Sequence, residues 1–249
     1  MSRRFKSLVL CFHGISDEWE HSLAVRPALL ERVLRALRRR GYRPVRAGDV
    51  LGGSRSLLHV TFDDAYTNVW GAVPVLERLA VPATVFACAG FADTGRPLDV
   101  PELAAEASAH PEHLATMEWD ALRELAERGV EIGAHTVSHP HLPRLSDDEL
   151  SRELGDSRAR CEEELRRPCR FLAYPYGEAD SRVHTAAQQA GFEAAFVLHG
   201  PSRPLNLYAL PRVDLYRRDS FARSLLKTSP LREAAWAVLD RLDASRRPG

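Results

Sequence analysis

Two adjacent carboxylates, Asp63 and Asp64, stand at the end of a short apolar run, Leu57-Leu58-His59-Val60, that continues into Thr61-Phe62. Side by side and partly buried, like charges of this kind cannot both ionise freely unless a cation lies next to them. A metal ion is one such cation, and imidazoles are its common companions. His135 and His139, in Gly133-Ala134-His135-Thr136-Val137-Ser138-His139, are spaced i, i+4 and would converge if their loop adopts a helical turn. Two histidines and one carboxylate, with the remaining positions left to water, make an open metal site suited to hydrolysis. His141, two residues beyond His139, reads as a surface or supporting residue rather than a ligand.

These residues need a scaffold that brings distant segments together, and the chain alternates strand-like and helix-like segments. Strands are expected at Ser7 to Phe12, Leu57 to Phe62, Ala83 to Ala87, Val130 to Ala134, Phe171 to Tyr174, Glu193 to Leu198 and Leu207 to Leu215. Helical periodicity lies between them, as in Leu29, Leu30, Val33, Leu34 and Leu37 with Pro27 before and Gly41 after. Ser146-Asp147-Asp148-Glu149 has the pattern of a capping box at the start of another helix. About seven strands separated by helices predict an α/β fold, a parallel sheet covered on its outer face. In parallel α/β barrels the chemistry gathers at the C-terminal strand ends. His13, Asp63, Asp64, His135, His139, Tyr174, Tyr176, His199, Arg212 and Asp214 all fall at or near such ends.

Phe91 to Met117 interrupts the rhythm with Gly95, Pro97, Pro101 and Pro111, and reads as a lid or binding loop holding a short helix around Glu102 to Ala109. The length suits a single domain over 1–249, with a core at 7–215 and a helical C-terminal tail over 219–249. Formal net charge is zero, so bulk electrostatics implies no nucleic-acid partner. No stretch approaches the length of a transmembrane span. The apolar run Leu8 to Phe12 is too short for a signal peptide's core, so a cytoplasmic location is expected. The four cysteines, Cys11, Cys88, Cys161 and Cys169, show no metal-binding or disulfide spacing and read as free structural thiols. Oligomeric state has no signature in the sequence.

Three segments together, Thr61-Phe62-Asp63-Asp64-Ala65-Tyr66, His135-Thr136-Val137-Ser138-His139-Pro140 and Phe171-Leu172-Ala173-Tyr174-Pro175-Tyr176-Gly177, resemble the first three motifs of the polysaccharide deacetylases (NodB homology, carbohydrate esterase family 4). The resemblance implies a distorted (β/α) barrel of about seven parallel strands and removal of an N-acetyl or other N-acyl group from an amino sugar or glycan precursor. It implies that Asp64, His135 and His139 hold a divalent metal, zinc before cobalt or nickel. Asp63 would be the base that takes a proton from the attacking water, and the backbone N–H of Tyr176 would help hold the oxyanion. Tyr66, Tyr174, Pro175 and Tyr176 would line the substrate site. Other activities known on such sequences, O-acetyl ester or cyclic-amide hydrolysis, remain alternatives, as does a sugar-binding domain without turnover.

Two departures stand out. The family's third motif carries an arginine that steadies the base, and this chain has Ala173 there. Arg212, in Leu210-Pro211-Arg212-Val213-Asp214, is the expected substitute, ahead of Arg170. The leucine-x-histidine motif that supplies a general acid near the C-terminus is also missing. Leu10-Cys11-Phe12-His13-Gly14-Ile15 resembles instead the N-terminal histidine motif of the branch that includes poly-N-acetylglucosamine deacetylases. His13 is therefore the expected acid, with His199 as the other candidate and Asp214 as a possible partner.

Overall fold

The computed structural model describes residues 7–51, 56–198 and 206–229. Eight strands make the frame: β1 (Leu8–Phe12), β2 (Leu57–Phe62), β3 (Ala83–Ala87), β4 (Glu131–Ala134), β5 (Phe171–Ala173), β6 (Ala194–Val197), β7 (Leu210–Pro211) and β8 (Val213–Asp214). All pair in parallel, in the order β7-β6-β5-β4-β3-β2-β1-β8. The two ends of this path are neighbours in the chain, joined only through Arg212. Leu210 pairs with Phe196 of β6 on one side, and Val213 pairs with Leu10 of β1 on the other. The sheet thus curls into a nearly closed barrel, the distorted (β/α) barrel expected. The long last strand read from Leu207 to Leu215 is two short ones, because the segment changes partners at Arg212.

Helices α1 (Pro27–Arg39), α2 (Val73–Leu79), α3 (Trp119–Glu127), α4 (Asp147–Leu165), α5 (Ser181–Gln189) and α6 (Phe221–Lys227) follow the expected rhythm. Pro27 opens α1, and the Ser146–Glu149 capping box opens α4 with both of its hydrogen bonds. Of the expected helical tail, α6 is described, and 230–249 lie outside the described residues, as does His199. No described helix is long and apolar enough to cross a membrane.

Strand alternation sorts side chains between two layers. Leu8, Leu10, Phe12, Leu58, Val60 and Phe62 belong to the main core with the helices, whereas Val9, Leu57, Phe86, Phe171, Phe196 and Leu210 form a separate cluster. The second set fills the barrel, since successive residues of a strand point to opposite faces. Polar residues share that inner face: His59, Thr61 and Asp63 follow Leu57 at intervals of two, and Cys11 follows Val9. Gly133 makes room there, because a Cβ on it would lie 2.5 Å from the Phe86 ring.

The insertion expected over Phe91 to Met117 consists of short helical turns, Pro101–Leu103, Ala104–Ala109 and Pro111–Leu114. Its end returns antiparallel to the loop after β2. Met117 N donates to Ala65 O (2.8 Å) and Thr67 N to Ala115 O (2.8 Å). The insertion therefore braces the loop that carries the aspartates.

Candidate metal and catalytic site

The carboxylates of Asp63 and Asp64 are both buried, and they face different partners. Asp63 prolongs the inward face of β2. Asp64 and Ala65 turn the chain sharply, with φ of 68° and 51°. That left-handed step sends the Asp64 carboxylate toward His135 and His139, whose Nε2 atoms each lie 3.4 Å from its Oδ1.

His135 directly follows β4, and its Nδ1 lies 2.8 Å from the carbonyl of Ala173. A carbonyl only accepts, so Nδ1 carries the hydrogen and Nε2 presents its lone pair to the site. His139 reaches the same point without the helical turn that its spacing suggested. Thr136 and His139 both adopt left-handed φ, 70° and 60°, and the His139 amide donates to Thr136 Oγ1 (3.0 Å). Glu153 of α4 holds the loop by accepting from the amides of Val137 and Ser138 at 2.8 and 3.0 Å. Among the described residues, five of the eight non-glycine residues with positive φ (Asp64, Ala65, Thr136, His139 and Tyr176) are at this rim. Backbone strain of this kind gathers where a site demands it.

The three donors fit a divalent ion. Asp64 Oδ1 is buried without a hydrogen-bond donor, and the three ligand atoms lie within 4.8 Å of one another. Four-coordinate zinc with bonds of about 2.0–2.1 Å separates its ligand atoms by about 3.3 Å, close to the spacing between Asp64 and each imidazole. Burial raises the Asp64 carboxyl pKa, but the adjacent imidazoles of His135 and His139 outweigh it and hold the group well below the carboxylate range. Burial lowers the His135 pKa, and the neighbouring carboxylates reverse this, so that the net shift is upward.

Asp63 is gripped by Arg212, whose Nη1 donates to Oδ1 at 2.6 Å and Nη2 to Oδ2 at 2.7 Å. Arg212 also donates to Thr61 Oγ1 (3.1 Å), and its guanidinium carbon lies 5.7 Å from the centre of the Phe86 ring and 5.9 Å from that of Phe196. Burial pushes the Asp63 pKa up, and the Arg212 charge, followed by His135, more than compensates, leaving it below the usual value. Arg170 lies elsewhere, in a bidentate pair with Glu193.

His13, just beyond β1, has a ring nitrogen within 4.8 Å of ligand atoms on Cys11 and Asp63, and its ring stacks on Tyr216 at 6.3 Å. Asp214, considered as its partner, lies close enough to Tyr216 to add, after burial, to the upward push on the phenol's pKa. Beneath Tyr216, Lys227 of α6 donates to Asp219 Oδ2 (2.8 Å) and to the Asp214 carbonyl (3.1 Å).

Tyr176 has φ 58° and packs edge-on against His139 at 4.6 Å. His141 stacks on its other neighbouring surface at 3.9 Å and reaches Glu178 and Glu102 at 2.9 and 3.1 Å. The Tyr176 hydroxyl donates to Glu102 (2.8 Å), which links the insertion to the site. The hydrogen bonds from His141 and then Tyr176 pull the Glu102 pKa down to about 2. Tyr66 is buried against Trp19, with ring centres 5.5 Å apart, and next to Asp64. Pro175 is buried as well. Tyr174 is brought to a different place: it is fully buried in the main core and donates to the Tyr208 carbonyl at 3.0 Å.

Sequence reasoning did not single out Cys11, Tyr216 or Glu102. Cys11 is a free buried thiol, and it also donates to Asp63 Oδ2 at 3.4 Å. Its position two residues before His13 on one strand face was the available signal. Glu102 had none, since a loop glutamate gives no sign of where its insertion folds.

Comparisons with known proteins bear on the family and the fold. The family model described as polysaccharide deacetylase matches residues 52–195, more than half of the chain. YxkH of Bacillus subtilis (strain 168), whose name assigns it to the same family, is 26% identical over 215 residues, covering 82% of this chain and 70% of that protein. The deacetylase PplD of Streptococcus pyogenes, solved with acetate, superposes with a TM-score of 0.74 at 21% identity, over 91% of this chain and all of that one (100%). IcaB from Ammonifex degensii gives 0.71 at 24% identity, over 94% and 98% of the two chains. At these identities the structures speak for the fold, and the family model speaks for more: the chain belongs to the polysaccharide deacetylase family.

Proposed function

We propose that this chain is a metal-dependent hydrolase that removes an N-acetyl or other N-acyl group from an amino sugar in a glycan or glycan precursor. We place it in the branch of the family with an N-terminal histidine motif. The observation that carries the reading is the division between adjacent aspartates: Asp64 faces two imidazoles, and Asp63 is held by Arg212. The His₂Asp donor set would hold zinc, with cobalt or nickel as substitutes. Such an ion, when bound, polarises the acyl carbonyl and makes water more acidic.

The protein's own groups do the rest. Arg212 keeps Asp63 ionised and oriented, ready to accept a proton from the attacking water. His13, on the neighbouring strand and steadied by Tyr216, gives a proton to the departing amine. The Tyr176 amide donates to the oxyanion, a contribution of about 3 kcal/mol to the barrier in comparable sites. Tyr66 and Pro175 support the wall of the cleft, and Tyr176 is its partly exposed face. Tyr174 supports this turn from the core. Acetate, present in the PplD structure, is the acid that N-acetyl hydrolysis releases.

The test is acetate release from N-acetylglucosamine oligomers by protein stripped with a chelator and resupplied with zinc, cobalt or nickel. Release that depends on added metal is expected. Release from acetylated xylan alone would move the reading to an O-acetyl esterase, and no release from either would leave a sugar-binding domain.

A further inference from the structure

The insertion carries a second group of metal-ligating side chains, in the segment His110-Pro111-Glu112-His113. His110 ends the helix Ala104–Ala109 with a non-helical backbone (φ −141°, ψ 58°), and Pro111 starts the turn Pro111–Leu114. Proline fixes the first helical φ, so Glu112 and His113 come round in one turn to face the His110 ring. Glu112 Oε1 lies 3.7 Å from His110 Nδ1 and 3.8 Å from His113 Nε2, and all three donor atoms fall within 4.8 Å of one another. The two contacts are beyond hydrogen-bond range. They exceed the ligand–ligand separation of about 3.3 Å in tetrahedral zinc by only about half an ångström.

From this convergence the geometry points to a second metal site at His110, Glu112 and His113, separate from the one at Asp64 and of the class that takes zinc or nickel. Two imidazoles and a carboxylate suit these ions better than calcium or magnesium, which prefer oxygen. One ligand is already fixed in place. His113 is only 21% exposed, its carbonyl accepts from Asn68 Nδ2 (3.1 Å), and its ring stacks near Trp19 at 5.9 Å. The other two side chains are open to solvent, 55% and 64% exposed, which gives the ion a path in and leaves a coordination position for water. Trp19 also packs on Tyr66 and donates to Glu106 at 2.7 Å. A bound ion therefore fixes the turn Pro111–Leu114, whose His113 packs against the Trp19 that lies on Tyr66.

Equilibrium dialysis of the full chain against zinc, followed by metal analysis, tests this site independently of the proposed reaction. The wild type should hold two ions per chain. The His110→Ala/His113→Ala variant should lose one of them, and His135→Ala/His139→Ala should lose the other, with circular dichroism showing each variant folded. Equal zinc content in the wild type and in His110→Ala/His113→Ala overturns the second site. Equal content in the wild type and in His135→Ala/His139→Ala would count against the Asp64 site instead, so the two ideas fail separately.

Discussion

Arg212 and Asp63, 149 residues apart in sequence, form a two-pronged ion pair wholly inside the barrel. Removing one partner of a buried pair leaves the other charge uncompensated, at a cost of about 3–5 kcal/mol. Arg212→Met should lower stability by that order in urea unfolding. Adding Asp63→Asn to it should recover part of the loss, since the orphaned charge is then gone. Arg212→Lys keeps the charge but not the fork, and should lose activity with a smaller loss of stability.

The adjacent aspartates should separate by assay. Asp63→Asn is expected to retain zinc while losing turnover by about a hundredfold or more, the range for removal of a general base. Asp64→Asn should lose the ion itself. Metal analysis alongside acetate release distinguishes them, and the opposite pattern would mean that their roles are exchanged.

His13→Ala should lower kcat by about a hundredfold or more, the scale of a missing proton donor, with metal content unchanged. Tyr216→Ala, which removes the stacking partner, should give a smaller loss in the same direction. Near-normal turnover in His13→Ala would remove it as the acid and return attention to His199.

A pH effect on stability is expected from His59 inside the barrel. Its Nδ1 lies 2.8 Å from the Val45 carbonyl and its Nε2 2.9 Å from Thr84 Oγ1. Burial lowers its pKa from 6.5 to about 4, against the pull of the Val45 hydrogen bond. Above pH 6.5 the ring is neutral whether the chain is folded or not, and nothing is lost. Between there and about 4 the unfolded chain takes up a proton that the folded chain refuses, so stability falls with pH. The full effect is about 3 kcal/mol. His59→Gln should flatten the fall in urea-unfolding free energy across that window, and an unchanged slope would point to other groups.

Gly133→Ala places a methyl 2.5 Å from the Phe86 ring and 2.9 Å from the Phe171 carbonyl. Overpacking of this kind costs about 1–3 kcal/mol. Because Phe86 lies against Arg212, the variant should lose both melting temperature and activity, whereas Gly155→Ala, with open space around its Cβ, should lose neither.

Much of the barrel was legible because its outer layer obeys simple periodicities. Leu8, Leu10 and Phe12 and the helical leucines of α1 announce their elements directly. The two aspartates and two histidines were also visible, since polar groups at strand ends have little other reason to be there. The route by which His139 reaches the ion site was not legible, because two left-handed residues replace the helical turn that i, i+4 spacing suggests. Nor was the split at Arg212. Leu210 to Asp214 reads as one strand, and only the closed sheet shows that its halves bond to opposite ends of the path. Polar residues at intervals of two, His59, Thr61 and Asp63, give β2 a polar inner face. A strand buried on both sides hid that pattern among its neighbours.

The seam between β7 and β8 has a further consequence for the order in which this protein becomes competent. Asp64, His135 and His139 all precede it in the chain, so a ribosome-bound or truncated chain ending before residue 210 would possess every ligand of the candidate ion site. It would lack the Arg212 guanidinium that grips Asp63 and the segment that shuts the barrel. On the proposed reading, metal capture and hydrolytic competence would be distinct thresholds along the polypeptide, and Arg212 is where the second would be crossed.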